Sequence, residues 1–383
     1  MSVSKSLLES AVEWRKELHR YPELGFQEVR TSSRVAELLE SFGVSVDVGL
    51  AGTGVIGKLS NGEGLAIGLR ADMDALPMNE LGSVCHKSCN HGAMHACGHD
   101  GHTAILLATA KHLSENKNFK GTVYFIFQPA EENLGGAREM VEDGLFEKYP
   151  MSSVFGLHNW PGLPEGHIAV SDGTMMASLD TFKITLTGKS CHAAMPEKGI
   201  DPIVCSSELI LALQTIASRK LSPLDSAVVS VTQINGGEAI NIVPETVVLE
   251  GTYRCLDKKV QDKVKVLIGE IATGVGAAHQ VEVEIDFFDG YIATTNNEEQ
   301  AKQVFDVAVN HFGESRVHWN LPSSMASEDF CFMLDKCPGA YFWLGADSEQ
   351  PSKPLHNAYY DFNDNIIEVG IEMWCGLVKK LLK

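Results

Sequence analysis

Two apolar runs, Thr122 to Phe127 (TVYFIF) and Ser153 to Leu157 (SVFGL), constrain the architecture more tightly than any other part of the chain. Each has the length of a strand and neither alternates as a strand with one wet face would, so both read as strands covered on both sides. Between them Gly136 to Phe146 has helical patterning, and strand, helix, strand is the repeating unit of a largely parallel sheet with helices on its two faces. Upstream, Val44 to Val48, Gly54 to Leu59 and Leu65 to Leu69 add three short strands. Two amphipathic helices precede them, marked by Leu7, Ala11, Trp14 and Leu18 and then by Val35, Leu38, Leu39 and Phe42, with Gly43 as the stop. Thr103 to Leu113 reads as a buried helix.

A different grammar runs from Leu179 to Phe287. Phe182, Ile184 and Leu186 alternate as in a strand, and Asp201-Pro202 supplies an N-cap and first turn for a helix to about Ser218. Strands Ala227 to Ile234 and Thr246 to Cys255, a helix from Asp257 to about Ala272 and a strand Val281 to Phe287 complete the order βαββαβ, that of a ferredoxin-like split unit. The expectation is an α/β protein of two domains. Residues 1–178 and 290–383 form an open, mostly parallel sheet domain, and residues 179–289 form an inserted α+β domain.

Composition excludes several functions. With 50 acidic and 31 basic residues the formal charge is −19, which repels nucleic-acid backbones and anionic membrane surfaces. No stretch approaches the ~20 apolar residues of a membrane span, and charges interrupt the first twenty residues, so a cytoplasmic location is expected. Nine cysteines at irregular spacing do not form a disulfide framework.

One of those cysteines sits in a segment with its own chemistry. Met94 to His102 (MHACGHDGH) packs a thiol, three imidazoles and a carboxylate around two glycines; Cys97 and His99 on a tight Gly turn can aim two zinc-type donors at one point. A His-rich surface loop with a chance cysteine has the same composition. The strand 122–127 empties into Gln128-Pro129-Ala130-Glu131-Glu132, and the strand 153–157 into His158. The strand-like run Tyr341 to Leu344 precedes Leu355-His356-Asn357, and Leu65 to Leu69 empties into Arg70-Ala71-Asp72-Met73-Asp74. Ligands of open α/β sheets bind at that carboxyl edge. Taken singly, paired acids are ordinary helix starts and lone histidines ordinary core residues; it is their convergence on one edge that argues for a site.

With these residues in view, the chain resembles the aminoacylase, hippurate hydrolase and indole-acetyl-amino-acid hydrolase family of metallo-amidohydrolases. The resemblance spans almost the whole length. It rests on His19 to Gly25, LRADMDALP at 69–77, MHACGHDGH at 94–102, QPAEE at 128–132, Gly156 to Asn159, GKSCHAAMP at 188–196, Asn241 to Pro244, Ser327 to Phe330 and Leu355 to Asn357. It implies two divalent ions (zinc, manganese, cobalt or nickel) on Cys97, His99, Glu132, His158 and His356, with Glu131 as general base toward a metal-bound water. His192, Asn241 and Arg254 would meet the substrate, His192 as an oxyanion donor, and the inserted domain would act as lid and pair two subunits into a homodimer. From the residues alone, His192 and Asn241 are equally turn residues, and Arg254 equally a structural ion-pair partner. Asp72 and Asp74 are candidates to orient ligating imidazoles.

The activity so implied is hydrolysis of an N-acyl amino acid to a carboxylate and a free amino acid. N-acetyl-diaminopimelate deacetylation and dipeptide cleavage use the same residues. A cysteine hydrolase with Cys97 as nucleophile and His99 or His102 as base, and a metal-binding protein without activity, are the other classes. Cys85 to His91 (CHKSCNH) reads as an exposed, variable loop.

Overall fold

The computed structural model describes residues 3–132, 134–348 and 352–383. The chain divides into two compact units, one of Met1–Met175, Thr295–Pro322 and Asp329–Lys383 and one of Met176–Thr294 and Ser323–Glu328.

The first unit is built on an eight-stranded sheet in the order Ser45–Leu50, Gly54–Asn61, Gly121–Gln128, Ala66–Asp72, Ser153–Pro164, Gly339–Asp347, Ile168–Val170 and Val317–Trp319. The central strands Gly121–Gln128, Ala66–Asp72, Ser153–Pro164 and Gly339–Asp347 run parallel; Ser45–Leu50, Gly54–Asn61 and Gly121–Gln128 pair antiparallel in succession at one end, and at the other Ile168–Val170 pairs antiparallel with Gly339–Asp347 and parallel with the edge strand Val317–Trp319. Their apolar runs are buried throughout, as strands covered on both faces must be: Val123, Phe125, Phe127, Phe155 and Phe342 have no exposed surface. Burying a side chain of that size stabilises the fold by about 1.5–3 kcal/mol.

The helix His99–Glu115 begins four residues earlier than the apolar pattern suggests, inside the MHACGHDGH segment. Gly98 is the reason. At φ +93° it makes the left-handed turn that precedes the first helical residue, and a Cβ there would meet Asn159 Oδ1 at 2.2 Å, so no other residue fits. The stretch 136–146 is likewise two short helices, Gly136–Glu142 and Leu145–Lys148, broken at Gly144 with φ +88°.

The second unit has a four-stranded antiparallel sheet in the order Ala227–Gly236, Thr246–Cys255, Leu179–Thr187, Glu282–Tyr291, which is the ferredoxin-like arrangement of a βαββαβ chain. Helices Pro202–Leu213 and Lys258–His279 carry the apolar residues that close its core, among them Leu209, Leu213, Val264 and Ile268 against Ile184 and Leu249. Asp201 and Asp257 cap these helices, each accepting from two backbone N–H groups. The segment Ser323–Glu328, which the sequence assigns to the first domain, belongs here, with Ser324 and Ala326 carbonyls accepting from the Ala177 N–H.

Candidate metal centre

Five chain segments meet at the carboxyl edge of the first unit's sheet. His99 is the first residue of its helix. Its Nδ1 donates to Asp74, 2.9 Å from the carbonyl oxygen and 3.2 Å from Oδ1, and its buried Nε2 has no hydrogen-bond partner. His158 repeats the pattern, donating from Nδ1 to the Asn159 carbonyl at 2.7 Å and turning Nε2 to within 3.4 Å of Cys97 Sγ. An imidazole whose Nδ1 proton is committed to a protein oxygen presents an Nε2 lone pair, which is how second-sphere contacts prepare a metal ligand.

Ligand atoms of Cys97, His99 and Glu132 lie within 4.8 Å of one another. The Glu132 backbone N–H donates to Asp74 Oδ2 at 2.9 Å, so one aspartate orients both His99 and the glutamate segment. His356 adopts φ +62°, is tied by its N–H to the Ala96 carbonyl at 2.8 Å, and brings Nε2 to 3.1 Å from Glu132 Oε1. Glu131 is buried beside this group, with the Asp329 N–H 3.4 Å from its Oε1.

The electrostatics fit a cation. Burial, then the carboxylates of Glu132, Glu131 and Asp72, push the Cys97 thiol well above its usual range. Burial opposes protonation of His99, yet Asp72, Asp74 and Glu132 raise it to about 10. A thiol, two imidazoles and carboxylates that gather this much negative potential around an Nε2 with no hydrogen-bond partner are a donor set for zinc-like divalent ions. The same raised thiol argues against Cys97 as a free nucleophile, which needs a depressed pKa.

A second group, Asp72, His99, His102 and His158, also lies within 4.8 Å. Here His102 is engaged on both sides, by Asp72 Oδ1 at 2.6 Å and Asn159 Oδ1 at 2.6 Å, and its ring centroid stands 4.5 Å from that of His158. Asp72 in turn accepts from Arg70 at 2.7 Å; burial opposes its ionisation, yet Arg70, His99 and His102 hold its carboxyl well below the usual range. Asp72, a candidate from the sequence to orient an imidazole, does so through His102, whose place beside His158 sequence reasoning did not find; the spacing of His99 and His102 on one helix was the available signal.

In the loop Cys85 to His91, expected to be exposed, His86 is buried. It stands 2.9 Å from both Arg15 and Asp361. Arg15 also reaches Asp364, and His19 pairs with Asp100 at 2.8 Å, so a buried charge network underlies the start of the His99 helix.

In the second unit His192 and Asn241 come together. His192 pairs with Ile242, and the Ala193 N–H donates to the Asn241 carbonyl at 3.0 Å. His192 is exposed and its Nδ1 accepts from the Ala194 N–H at 3.1 Å, leaving Nε2 as a donor when the ring is neutral. Arg254 lies apart from them, near the far end of the strand Thr246–Cys255, half-buried and donating to the Met325 carbonyl at 3.1 Å.

Residues 68–380 match the model of peptidase family M20/M25/M40, and the chain belongs to that family of hydrolases. Among curated proteins, it is 41% identical to the hippurate hydrolase of Campylobacter jejuni over 96% of each chain. It is 40% identical to the N-acetyl-L-cysteine deacetylase of Bacillus subtilis, covering 88% of this chain and 80% of that one. A solved dinuclear metal-binding peptidase of the M20 family from Bacillus subtilis superimposes with a TM-score of 0.87 at 32% identity, covering 99% of both chains. The protein is thus an enzyme, an amidohydrolase of this family.

Proposed function

We propose that the protein is a metal-dependent N-acyl-amino-acid amidohydrolase, with Cys97, His99, Glu132, His158 and His356 holding two divalent ions. The observation that carries this reading is His99: a buried ring with Nδ1 fixed on Asp74 and Nε2 without a hydrogen-bond partner, 3.8 Å from Asp72 Oδ2 and within 4.8 Å of a thiol and a carboxylate. The named activities of the two curated relatives, on hippurate and on N-acetyl-cysteine, support an N-acyl amino acid as substrate.

Ions bound there would polarise the amide carbonyl and lower the pKa of water from about 15.7 toward 7. Glu131 takes a proton from the attacking water and delivers it to the departing amine nitrogen as the C–N bond breaks, giving a carboxylate and a free amino acid. Its neighbour Glu132 is committed to the ligand set, which keeps the two acids in separate roles. His192, with Nε2–H as its donor, stabilises the developing oxyanion; Asn241 contacts the substrate, and the free edge of the Arg254 guanidinium grips the amino-acid carboxylate.

The same reading makes the second unit a lid and the contact of a homodimer. Its outer strand Ala227–Gly236 is paired on one side only in its sheet, with Val228 and Ile234 exposed, and the helix Pro202–Leu213 exposes Val204 and Leu211. Placement in a reducing cytoplasm accords with free, buried thiols at Cys97, Cys205, Cys255, Cys331 and Cys337. No helix among the described residues is long and apolar enough to cross a membrane.

Glu131→Gln tests the assignment. Hydrolysis of hippurate and N-acetyl-amino acids should fall by roughly 100-fold to 10,000-fold, the usual worth of a general base, while metal content stays that of the wild type. Unchanged turnover in this variant would remove Glu131 from the mechanism.

A further inference from the structure

Glu28 is a carboxylic acid with no exposed surface and no part in the ligand group described above. It immediately precedes the helix Val29–Ser41, yet its side chain makes no capping bond to that helix. Its two oxygens are used elsewhere. Oε2 accepts from the Thr53 hydroxyl at 2.7 Å, and Oε1 accepts from the Ala130 N–H at 2.8 Å. A buried carboxyl is costly unless its oxygens are satisfied, and here both are satisfied by segments distant in the chain.

Ala130 is the residue immediately before Glu131, and its φ of +54° lies in the left-handed region that a residue with a Cβ seldom adopts. The turn is closely seated. A Cβ on Gly25 would lie 3.1 Å from that of Ala130, and one on Gly136 would lie 1.8 Å from the Pro129 carbonyl oxygen. The Ala130 carbonyl accepts from the Gly136 N–H at 2.9 Å. Three successive residues are thus met by three separate acids: Ala130 by Glu28, Glu131 by the Asp329 N–H at 3.4 Å, and Glu132 by the Asp74 carboxylate at 2.9 Å. Asp74 holds the end of the turn that carries the ligand, and Glu28 the end that enters the base. Burial pushes the Glu28 carboxyl up to about 7, with the Thr53 hydroxyl pulling against it and Asp74 adding to it. Charged or neutral, the group keeps an oxygen that accepts from Ala130, so an amide in its place can hold the same turn.

Resting on the amidohydrolase reading above, we infer that Glu28 is a positioning residue for the reaction: by holding the Ala130 N–H it maintains the left-handed turn that aims Glu131 at the attacking water. It acts through Glu131 and not on the substrate. Displacing a reacting group by about 1 Å costs on the order of 100-fold in rate, which sets the scale of the effect.

The test measures kcat, KM and metal content for hydrolysis of hippurate and N-acetyl-amino acids by the metal-loaded wild type, Glu28→Ala, Glu28→Gln, Glu131→Gln, and Glu28→Ala combined with Glu131→Gln. Glu28→Ala should lower kcat about 10- to 100-fold, with KM within about twofold and metal content that of the wild type, because Asp74 still holds Glu132. Glu28→Gln should recover most of kcat. In the Glu131→Gln background Glu28→Ala should cost nothing further, since its effect passes through a base already removed. Thr53→Val, which takes away one donor and leaves Glu28 in place, should give a smaller, several-fold loss that also vanishes in that background; it carries the test if Glu28→Ala does not fold. Wild-type kcat in the variants at 28 and 53, a loss that tracks missing metal, or a loss that persists undiminished without Glu131 overturns the positioning role while leaving the amidohydrolase intact. A metal-loaded wild type that cleaves no N-acyl amino acid, or a Glu131→Gln variant with full turnover, overturns the proposed function and this inference with it.

Discussion

Asp74 shows how much of this site depends on a residue outside the ligand set. It accepts from His99 Nδ1 with one oxygen and from the Glu132 N–H with the other, fixing two proposed ligands from different segments. Asp74→Asn should therefore weaken metal binding about 10- to 100-fold, measured by competition with a chelator, and an unchanged affinity would show that His99 needs no such anchor. The sequence made Cys97, His99, Glu132, His158 and His356 visible because each follows a strand-like run or sits in a dense motif. It did not reveal that His102 is locked between Asp72 and Asn159, because that contact joins three segments far apart in the chain. Nor did it reveal buried His86, whose partners Arg15 and Asp361 stand 71 and 275 residues away.

At the scale of the element, the turn into the His99 helix is the critical local structure. Gly98 meets two demands, a left-handed φ and no Cβ against Asn159, so Gly98→Ala faces both strain and a clash. The variant should lose about 2–4 kcal/mol of stability in urea unfolding and lose bound metal with it. A fully stable variant would mean the turn relaxes freely. Strand positions and both domain grammars were legible, since periodicity and burial go together in this chain. Helix starts were less so: the apolar pattern begins at Thr103, whereas the backbone turns helical at His99, because His99, Asp100 and His102 stand where apolar residues mark a helix elsewhere.

For the whole molecule, the buried charges beneath the site link stability to pH. Burial works against a charged His19, but hydrogen bonds to Asp100 and Glu80 raise it to about 9 from the ordinary 6.5. A group whose pKa is raised on folding stabilises fully below its unfolded value and loses that contribution as pH rises through its folded one. The wild type should thus lose stability, on the order of 3 kcal/mol at most, between pH 6.5 and about 9, and His19→Gln should flatten that slope. Equal slopes in thermal unfolding across this window would remove His19 as its source. Association is the other whole-molecule property. Ile234→Lys on the exposed edge strand should shift the protein toward monomer in light scattering, and a monomeric wild type would contradict the proposed dimer.

The central claim is that two divalent ions on the Cys97, His99, Glu132, His158 and His356 set are required for amide hydrolysis. Its most direct test is to strip the protein with a chelator and measure hippurate hydrolysis as zinc, manganese, cobalt or nickel is added back in counted equivalents. The account predicts an inactive stripped protein whose activity returns and levels off near two equivalents per chain. Activity that survives stripping and disappears on thiol alkylation would contradict it and return Cys97 to the role of nucleophile.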